Sequence, residues 1–212
     1  MNVDWTWFLS AGAFAVAMSA TPGPNNTMVV ASGATYGFSR TVPHMLGIAV
    51  GFPVMLIILG TVGLPLLTDP RVHAVLKWVG AAYLLWLAWK IATADPDPAD
   101  PAAKAPMARA GGTGGRPLGV VQAALFQWVN PKAWVIAAGA LATYTAGADS
   151  TSLAATLALA LLFGIVALPC IGLWTLIGVG TARVLRTRRA VRLFNLAMAG
   201  LLVASLVPAL RE

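Results

Sequence analysis

The stretch TPGPNN at residues 21–26 decides the fold, because it interrupts an uncharged run that extends from Trp5 to Ser39. In a bilayer core every backbone N–H and C=O group must find a partner within the protein. A helix broken by prolines and a glycine is therefore tolerated only against other protein or a polar cavity. We expect a cavity at this break. We also expect Asn25 or Asn26 to cap a second half-helix, whose N-terminal end suits an anionic group.

The composition places the whole chain in a membrane. Of 212 residues, 58% are hydrophobic and 10% charged, and the mean hydropathy is +0.79, far more apolar than an ordinary soluble domain. A spanning helix needs about 20 mostly apolar residues. The sequence predicts an all-α integral membrane protein with six transmembrane segments, at residues 5–35 (broken), 41–67, 72–93, 118–142, 151–179 and 189–210.

The basic residues predict the topology. Ten of them lie on the first, third and fifth connections: Arg40, Lys90, Lys104, Arg109, Arg116, Arg183, Arg186, Arg188, Arg189 and Arg192. The opposite side has Arg71, Lys77 and Arg211, so the positive-inside rule places both termini outside the cytoplasm. These basic residues beside the apolar segments account for the net charge of +7, so we expect no nucleic-acid partner. Residues 94–117, rich in Pro, Ala and Gly, are predicted to form a flexible cytoplasmic linker.

A second unusual stretch lies in the fourth segment, where Gln127 precedes the sequence NPK at residues 130–132. A charge at the bilayer centre costs at least about 2.5–3.5 kcal/mol, so Lys132 is expected to face a cavity or a partner. Asn at a cap position followed by Pro again indicates the start of a half-helix. The alternative is a proline kink whose lysine reaches one membrane interface.

The two stretches lie about half a chain apart, and each falls in the first segment of a three-segment half. Because each half crosses the membrane three times, the second half starts on the opposite side and is inverted relative to the first. Inverted-repeat transporters have this arrangement, and in them discontinuous helices from both halves build one site at the membrane midplane. We therefore divide the chain into a first three-helix repeat (1–93), the linker (94–117) and a second three-helix repeat (118–212).

A GxxxG motif, Gly47 to Gly51, lies in the second segment. Such a motif allows another helix to approach closely. We favour packing within the chain, and the alternative is a homo-oligomer interface. His44, in the same segment, is expected to be solvated or bonded to backbone rather than to carry protons.

Together these motifs support a family resemblance. They are TPGPNN at 21–26, GF at 37–38, Gly47, GF at 51–52, WVGAAYLLWLAWK at 78–90 and NPK at 130–132. The chain resembles the LysE/RhtB amino-acid exporters over most of its length, and its first half is most similar to members that export cysteine and O-acetylserine. The resemblance implies a multi-pass protein of the bacterial inner membrane that exports a small amino acid or derivative by proton antiport, with no cofactor. Carried over to matching positions, with Gln127 added, the substrate-binding residues are Pro22, Gly23, Pro24, Asn25, Asn26, Gln127, Asn130, Pro131 and Lys132.

The sequence departs from the family pattern in one respect. Many relatives have an acidic residue after Pro-Gly-Pro, whereas this chain has Asn25, and its seven acidic residues fall in termini, loops or segment ends. Candidates for proton coupling are therefore Lys132, His44 or a group on the substrate, with uniport or exchange left open. Without an acidic neighbour, Lys132 is expected to need an anion. The substrate carboxylate fits, which favours neutral zwitterions over dibasic amino acids.

Other classes of protein fit the residues less well. A metal or other small-cation exporter of the wider superfamily is the runner-up, but it needs intramembrane ligands, and only His44 and Cys170 lie in or near the spans. An enzyme would need a nucleophile with a base or a metal cluster. We find no such constellation and expect neither catalysis nor a bound metal.

Overall fold

A computed structural model describes residues 3–63, 69–94, 116–145, 153–181 and 185–211, and within these ranges the chain is helical without strands. A short 3-10 turn, Gln127–Val129, stands between the fifth and sixth helices. The helices are α1 Trp5–Ala20, α2 Pro24–Tyr36, α3 Phe38–Thr61, α4 Pro70–Ala92, α5 Val120–Phe126, α6 Pro131–Tyr144, α7 Leu153–Thr181 and α8 Arg188–Arg211.

The helices follow the predicted segments, and the first and fourth segments are broken as expected, at residues 21–23 and 127–130. The largest difference at a helix start is at α3, which begins at Phe38 rather than at residue 41. Gly37 explains it, because its positive φ of 80° ends α2 and turns the chain into α3 within one residue. Most of the predicted linker, residues 95–115, lies outside the described residues.

Two of the described helices, α3 and α7, are long and apolar enough to cross a membrane. Shorter apolar helical stretches occur at Trp5–Ala20, Trp78–Ala92 and Val120–Val129. The first and last of these stop at the two breaks, so the breaks themselves shorten the apolar helices.

Small residues bring the helices together. An ideal Cβ atom at Gly178 of α7 would lie 2.1 Å from the carbonyl oxygen of Val30 in α2, and one at Gly47 of α3 would lie 2.4 Å from that of Val120. Gly51 meets Ala124 of α5 in the same way. The GxxxG motif therefore packs within the chain, as predicted.

Helices from before and after the predicted linker pack against one another. α3 packs on α7, and α4 packs on α8. The helix before each break also packs on one of these long helices, so that α1 contacts α7 and α5 contacts α3. Both breaks are thereby held against the α3–α7 pair.

The two ends of the bundle differ in character. At one end Ala34 packs with Leu185 and Val191, and nearby Arg40 and Arg116 line a surface cavity of about 560 Å³. This end gathers residues from the first, third and fifth connections, and we call it the basic end.

At the other end α1 and α6 are joined by two hydrogen bonds. The indole N–H of Trp7 donates to the Tyr144 carbonyl (3.0 Å), and the Tyr144 hydroxyl donates to the Ser10 carbonyl (3.2 Å). The start of α1 thus lies beside the end of α6, away from Arg40 and Arg116.

His44 differs from its expected environment. Its side chain is 2% exposed, and neither ring nitrogen has a hydrogen-bond partner among the residues that the structure describes. Because α3 starts at Phe38, His44 lies well inside the helix, and its spacing from Thr41 and Ile48 places it on the buried face. The expectation of a solvated or backbone-bonded imidazole is wrong.

Candidate functional site

The first break is closed by backbone and amide groups. α1 ends where the Thr21 amide and hydroxyl both donate to the Ala17 carbonyl. α2 then starts at Pro24 with Gly23 as a cap residue that has no side chain to offer. The Asn26 amide donates to the carbonyls of Ser19 (2.8 Å) and Thr21 (2.9 Å).

These contacts correct the expected capping role of Asn25 or Asn26. Pro24 occupies the first helical position, so both asparagines lie in the first turn of α2, beyond the cap. The last carbonyls of a helix lack intrahelical donors. Asn26 donates to one carbonyl in the last turn of α1, that of Ser19, and to that of Thr21, which follows α1. It therefore stabilises the end of the preceding helix rather than the start of its own.

The second break has the predicted side-chain cap. Asn130 adopts an extended backbone conformation after the 3-10 turn, and its Oδ1 accepts from the Lys132 amide at 3.1 Å. Pro131 takes the first helical position. The Trp134 indole N–H donates to the Trp128 carbonyl at 2.9 Å, which satisfies one acceptor of the turn.

The two breaks face each other, as predicted, and four hydrogen bonds connect them. Lys132 Nζ donates to the carbonyls of Thr21 (2.7 Å) and Pro22 (3.3 Å). The side-chain amides of Asn25 and Gln127 pair reciprocally, at 2.9 and 3.2 Å. Gln127 is fully buried, so its pairing with Asn25 replaces water that it cannot reach.

Lys132 thus has partners that the sequence did not indicate. Two neutral carbonyls accept hydrogen bonds from two of its three N–H groups. Among the described residues that line the cavity no carboxylate balances its positive charge. Gly23 makes the contact fit, because an ideal Cβ there would lie 2.7 Å from Lys132 Cδ and 3.0 Å from Nζ. The backbone at Gly23 is extended, with φ −176°, so glycine here makes room for the lysine side chain and is not needed for its backbone conformation.

A cavity of about 60 Å³ lies at this junction. It is large enough to hold water. Its polar lining comes from both breaks, and its apolar lining from α1, α3, α6 and α7. The lining residues are Met18, Ser19, Gly23, Asn25, Asn26, Ile48, Phe52, Gln127, Asn130, Lys132, Ala133, Ile136, Phe163, Ala167 and Ile171.

The structure brings most of the predicted site residues to this cavity. Six of the nine line it: Gly23, Asn25, Asn26, Gln127, Asn130 and Lys132. The three prolines act through the backbone instead. Pro22 offers its carbonyl to Lys132, while Pro24 and Pro131 begin the half-helices. Pro131 also packs on α4, where an ideal Cβ at Gly80 would lie 3.1 Å from its Cδ.

Sequence reasoning missed the apolar lining from α3 and α7. Phe52 belongs to a family motif, GF at 51–52, so its position was marked, although its role was not. Phe163 and Ile171 lie in a uniformly apolar helix, where no pattern separates a cavity-facing residue from a lipid-facing one. Within the described part of the chain no group of three His, Cys, Asp or Glu residues could hold a metal ion.

Sequence comparisons find relatives that are named as efflux proteins. Curated relatives called cysteine/O-acetylserine efflux protein occur in Salmonella typhi (36% identity) and in Escherichia coli strains O157:H7 (35%) and O139:H28 (34%). Each match extends over 94 residues, 44% of this chain and 45% of the relative. The chain thus spans less than half the length of the curated relatives that it matches. No solved structure matches.

A family model covers much more of the sequence. The model described as LysE type translocator matches residues 16–207, a range that includes both breaks and all of α2 to α7. The resemblance drawn from the motifs is therefore confirmed, and the chain belongs to the LysE type translocator family.

Proposed function

We propose that this protein exports a small neutral amino acid or derivative, such as cysteine or O-acetylserine, across the bacterial inner membrane. The observation that carries the proposal is the position of Lys132, the one charged side chain among the described residues that line the cavity. It lies where two helix breaks meet, which is how discontinuous-helix transporters build a substrate site. The names of the curated relatives support the substrate class.

The contacts of Lys132 suggest how a zwitterion binds. Its ammonium group is held by the carbonyls of Thr21 and Pro22. A substrate carboxylate offers that ammonium group an ion pair, which is stronger than a bond to a neutral oxygen. When Lys132 turns toward the carboxylate, both carbonyls become available to the substrate's own ammonium group. One substrate thus replaces the two internal hydrogen bonds of Lys132 with an ion pair to its carboxylate and hydrogen bonds from its own ammonium group to the same two carbonyls.

The same exchange explains the proposed preference for neutral amino acids. A dibasic substrate would bring a second cation into a site whose described lining has one cation and no carboxylate. Asn25 and Gln127 offer it neutral oxygens, and these are already paired with each other. Like charges in a poorly hydrated site repel strongly, so lysine and arginine are expected to be poor substrates.

We also propose the six-span inverted topology, with the basic end in the cytoplasm. The equivalent packing of the two halves supports it, since α1 lies on α7 as α5 lies on α3. The grouping of the first, third and fifth connections supports the orientation. Rocking of one half against the other would then expose the site alternately to the two sides.

Proton antiport is part of the proposal and rests on the family resemblance. A proton-coupled carrier needs a titratable group that experiences both sides of the membrane. Lys132 lines the cavity, and His44 lies on the same face of α3 as the cavity residues Ile48 and Phe52. These two residues are the candidates in the described helices near the site.

Substitution of Lys132 tests the function. Inside-out vesicles containing Lys132→Met are expected to take up no labelled O-acetylserine, cysteine or alanine, while membrane insertion and expression stay normal. Lys90→Met is the matched control, because Lys90 is exposed and lies over the Trp86 ring, away from the cavity. Uptake at the wild-type rate in Lys132→Met would remove the lysine from the mechanism.

The same vesicles test proton coupling. With an imposed pH gradient, acid inside the vesicle, uptake is expected to be faster than at equal pH. Identical rates with and without the gradient would leave uniport or exchange as the mode of transport.

A further inference from the structure

The basic end has a cavity of its own, which shares no described lining residue with the cavity at the helix breaks. Its volume is about 560 Å³, within the range of pockets that hold small molecules. Arg40 and Arg116 both line it, and none of its described lining residues is an Asp or a Glu. A guanidinium group pairs with a phosphate or a carboxylate through two parallel hydrogen bonds. The charge of this basic-end cavity therefore suits an anion.

The helices place these two arginines near the level of lipid headgroups. Arg40 lies in the first turn of α3, which is long and apolar enough to cross a membrane. Arg116 precedes α5, whose cap residue Gly119 also lines the basic-end cavity. Both arginine side chains are exposed. Basic side chains at the ends of membrane helices extend to the interface with water, so these two can meet the phosphates of the bilayer.

An exposed apolar surface begins beside the basic-end cavity and follows α3 and α5. Gly47 meets Val120 and Gly51 meets Ala124, so the two helices run in the same direction away from the cavity. In this arrangement the residue before each glycine and the residue after each of its partners turn to the same side of the helix pair. The four residues on that side are apolar and exposed: Leu46 (42%), Val50 (52%), Val121 (69%) and Leu125 (63%). We call them the α3–α5 face.

We propose that the basic-end cavity binds the headgroup of an anionic phospholipid, with its phosphate at Arg40 and Arg116 and its acyl chains on the α3–α5 face. Basic pockets between membrane helices bind such headgroups. A free phosphate ion would use the two arginines alone, whereas a lipid also covers the apolar surface that starts beside them. A phosphocholine headgroup carries its own positive charge, so two arginines favour a lipid with net negative charge. The site goes beyond the proposed export function and does not depend on it.

Lipid retention by the purified protein tests the proposal. The full chain in detergent would be mixed with equal amounts of dioleoyl phosphatidylglycerol and dioleoyl phosphatidylcholine, and the bound lipid identified by native mass spectrometry. Wild type is expected to retain more phosphatidylglycerol than phosphatidylcholine. Arg40→Gln and Arg116→Gln are each expected to lower that ratio about fivefold, the effect of one basic residue beside an anionic membrane surface. Equal retention of the two lipids by wild type would overturn the proposal.

Arg189→Gln is the matched control. It removes the same charge from α8, whose first turns also lie at the basic end, but Arg189 is exposed and does not line the cavity. It is expected to keep the wild-type ratio and the wild-type midpoint of thermal unfolding. If it lowers the ratio as much as Arg40→Gln does, the preference comes from the general charge of this end, and the proposed site is wrong.

Thermal unfolding distinguishes a lipid from a free anion. A ligand that binds the folded protein raises its midpoint of unfolding. Dioleoyl phosphatidylglycerol is expected to raise the midpoint of wild type more than the dihexanoyl lipid with the same headgroup, and inorganic phosphate at the same concentration is expected to leave it unchanged. If inorganic phosphate or the short-chain lipid stabilises wild type as well as the long-chain lipid does, the α3–α5 face takes no part and the lipid assignment fails.

Discussion

The two helix breaks have the same place in their halves of the chain, yet they present opposite chemistry. The first, at residues 21–23, has a glycine at the cap position and presents carbonyl oxygens. The second, at residues 127–130, is closed by an asparagine side chain and presents an ammonium group. One break therefore supplies acceptors and the other a donor. The proposed zwitterionic substrate needs both kinds of group, which two identical breaks would not offer.

The difference also explains which break needs a glycine. Lys132 crosses from the second break and lies against the backbone of the first, with its Cδ where a Cβ of residue 23 would be. The second break needs no such room, because the groups of the first that reach it are the short Asn25 side chain and backbone carbonyls. The small residue, Gly23, thus belongs to the break that presents acceptors. The long residue, Lys132, belongs to the break that presents the donor.

The strongest test of this complementarity is Gly23→Ala. A methyl group there would displace Lys132 from the carbonyls of Thr21 and Pro22, while the rest of the fold can stay unchanged because a lysine side chain is flexible. We expect export to fall about 100-fold, as displacements of about 1 Å in a site can cost. Initial uptake rates in inside-out vesicles measure the effect.

Gly12→Ala is the control for this change, since nothing lies within 4 Å of its ideal Cβ. It is expected to export normally and to be slightly more stable, because alanine is the better helix residue. If Gly23→Ala also exports normally, the contact between Lys132 and the first break is not part of the site.

The next largest effect is expected for the amide pair that joins the breaks. Asn25→Ala would leave the fully buried Gln127 with its amide N–H bonded to Ala123 and its oxygen unpaired. We expect a loss of about 1–3 kcal/mol in the free energy of unfolding. Gln127→Ala should cost as much or more, because it also leaves a cavity.

A double-mutant cycle makes this prediction specific. If the reciprocal pair is the reason for the loss, Asn25→Ala and Gln127→Ala together should cost less than the sum of the two, by about 0.5–3 kcal/mol. Unfolding in detergent, followed by the fluorescence of the native tryptophans, gives the three values. Strict additivity would show that the two amides contribute separately.

The sequence was sufficient to locate both breaks, because proline and glycine act locally on backbone geometry. It also predicted that the breaks meet, since the positions of Pro24 and Pro131 in the two halves are equivalent. It was wrong about Asn26, because a first-turn asparagine can bond forward or backward, and the choice depends on the unpaired carbonyls of the preceding helix. Local pattern does not contain that information.

Long-range packing accounts for the other differences. The buried position of His44 depends on where Gly37 turns the chain and on which neighbours cover α3. Phe163 lines the cavity beside Phe52, and this position depends on how α3 and α7 pack. In a uniformly apolar helix such as α7, hydrophobic periodicity does not distinguish residues that face lipid from residues that line an apolar cavity.

The smallest expected effect on stability concerns the side-chain cap at Asn130, which the first break lacks. Asn130→Ala removes the side chain that accepts from the Lys132 amide, and the loss of such a cap costs about 1 kcal/mol. Asn130→Ser retains an acceptor and is expected to be close to wild type in stability. At the first break Gly23 has no side-chain bond to lose, so no cap contributes there. If Asn130→Ala and Asn130→Ser unfold at the same denaturant concentration, the cap does not stabilise α6, and the two breaks would differ in the charge that they present but not in how they are closed.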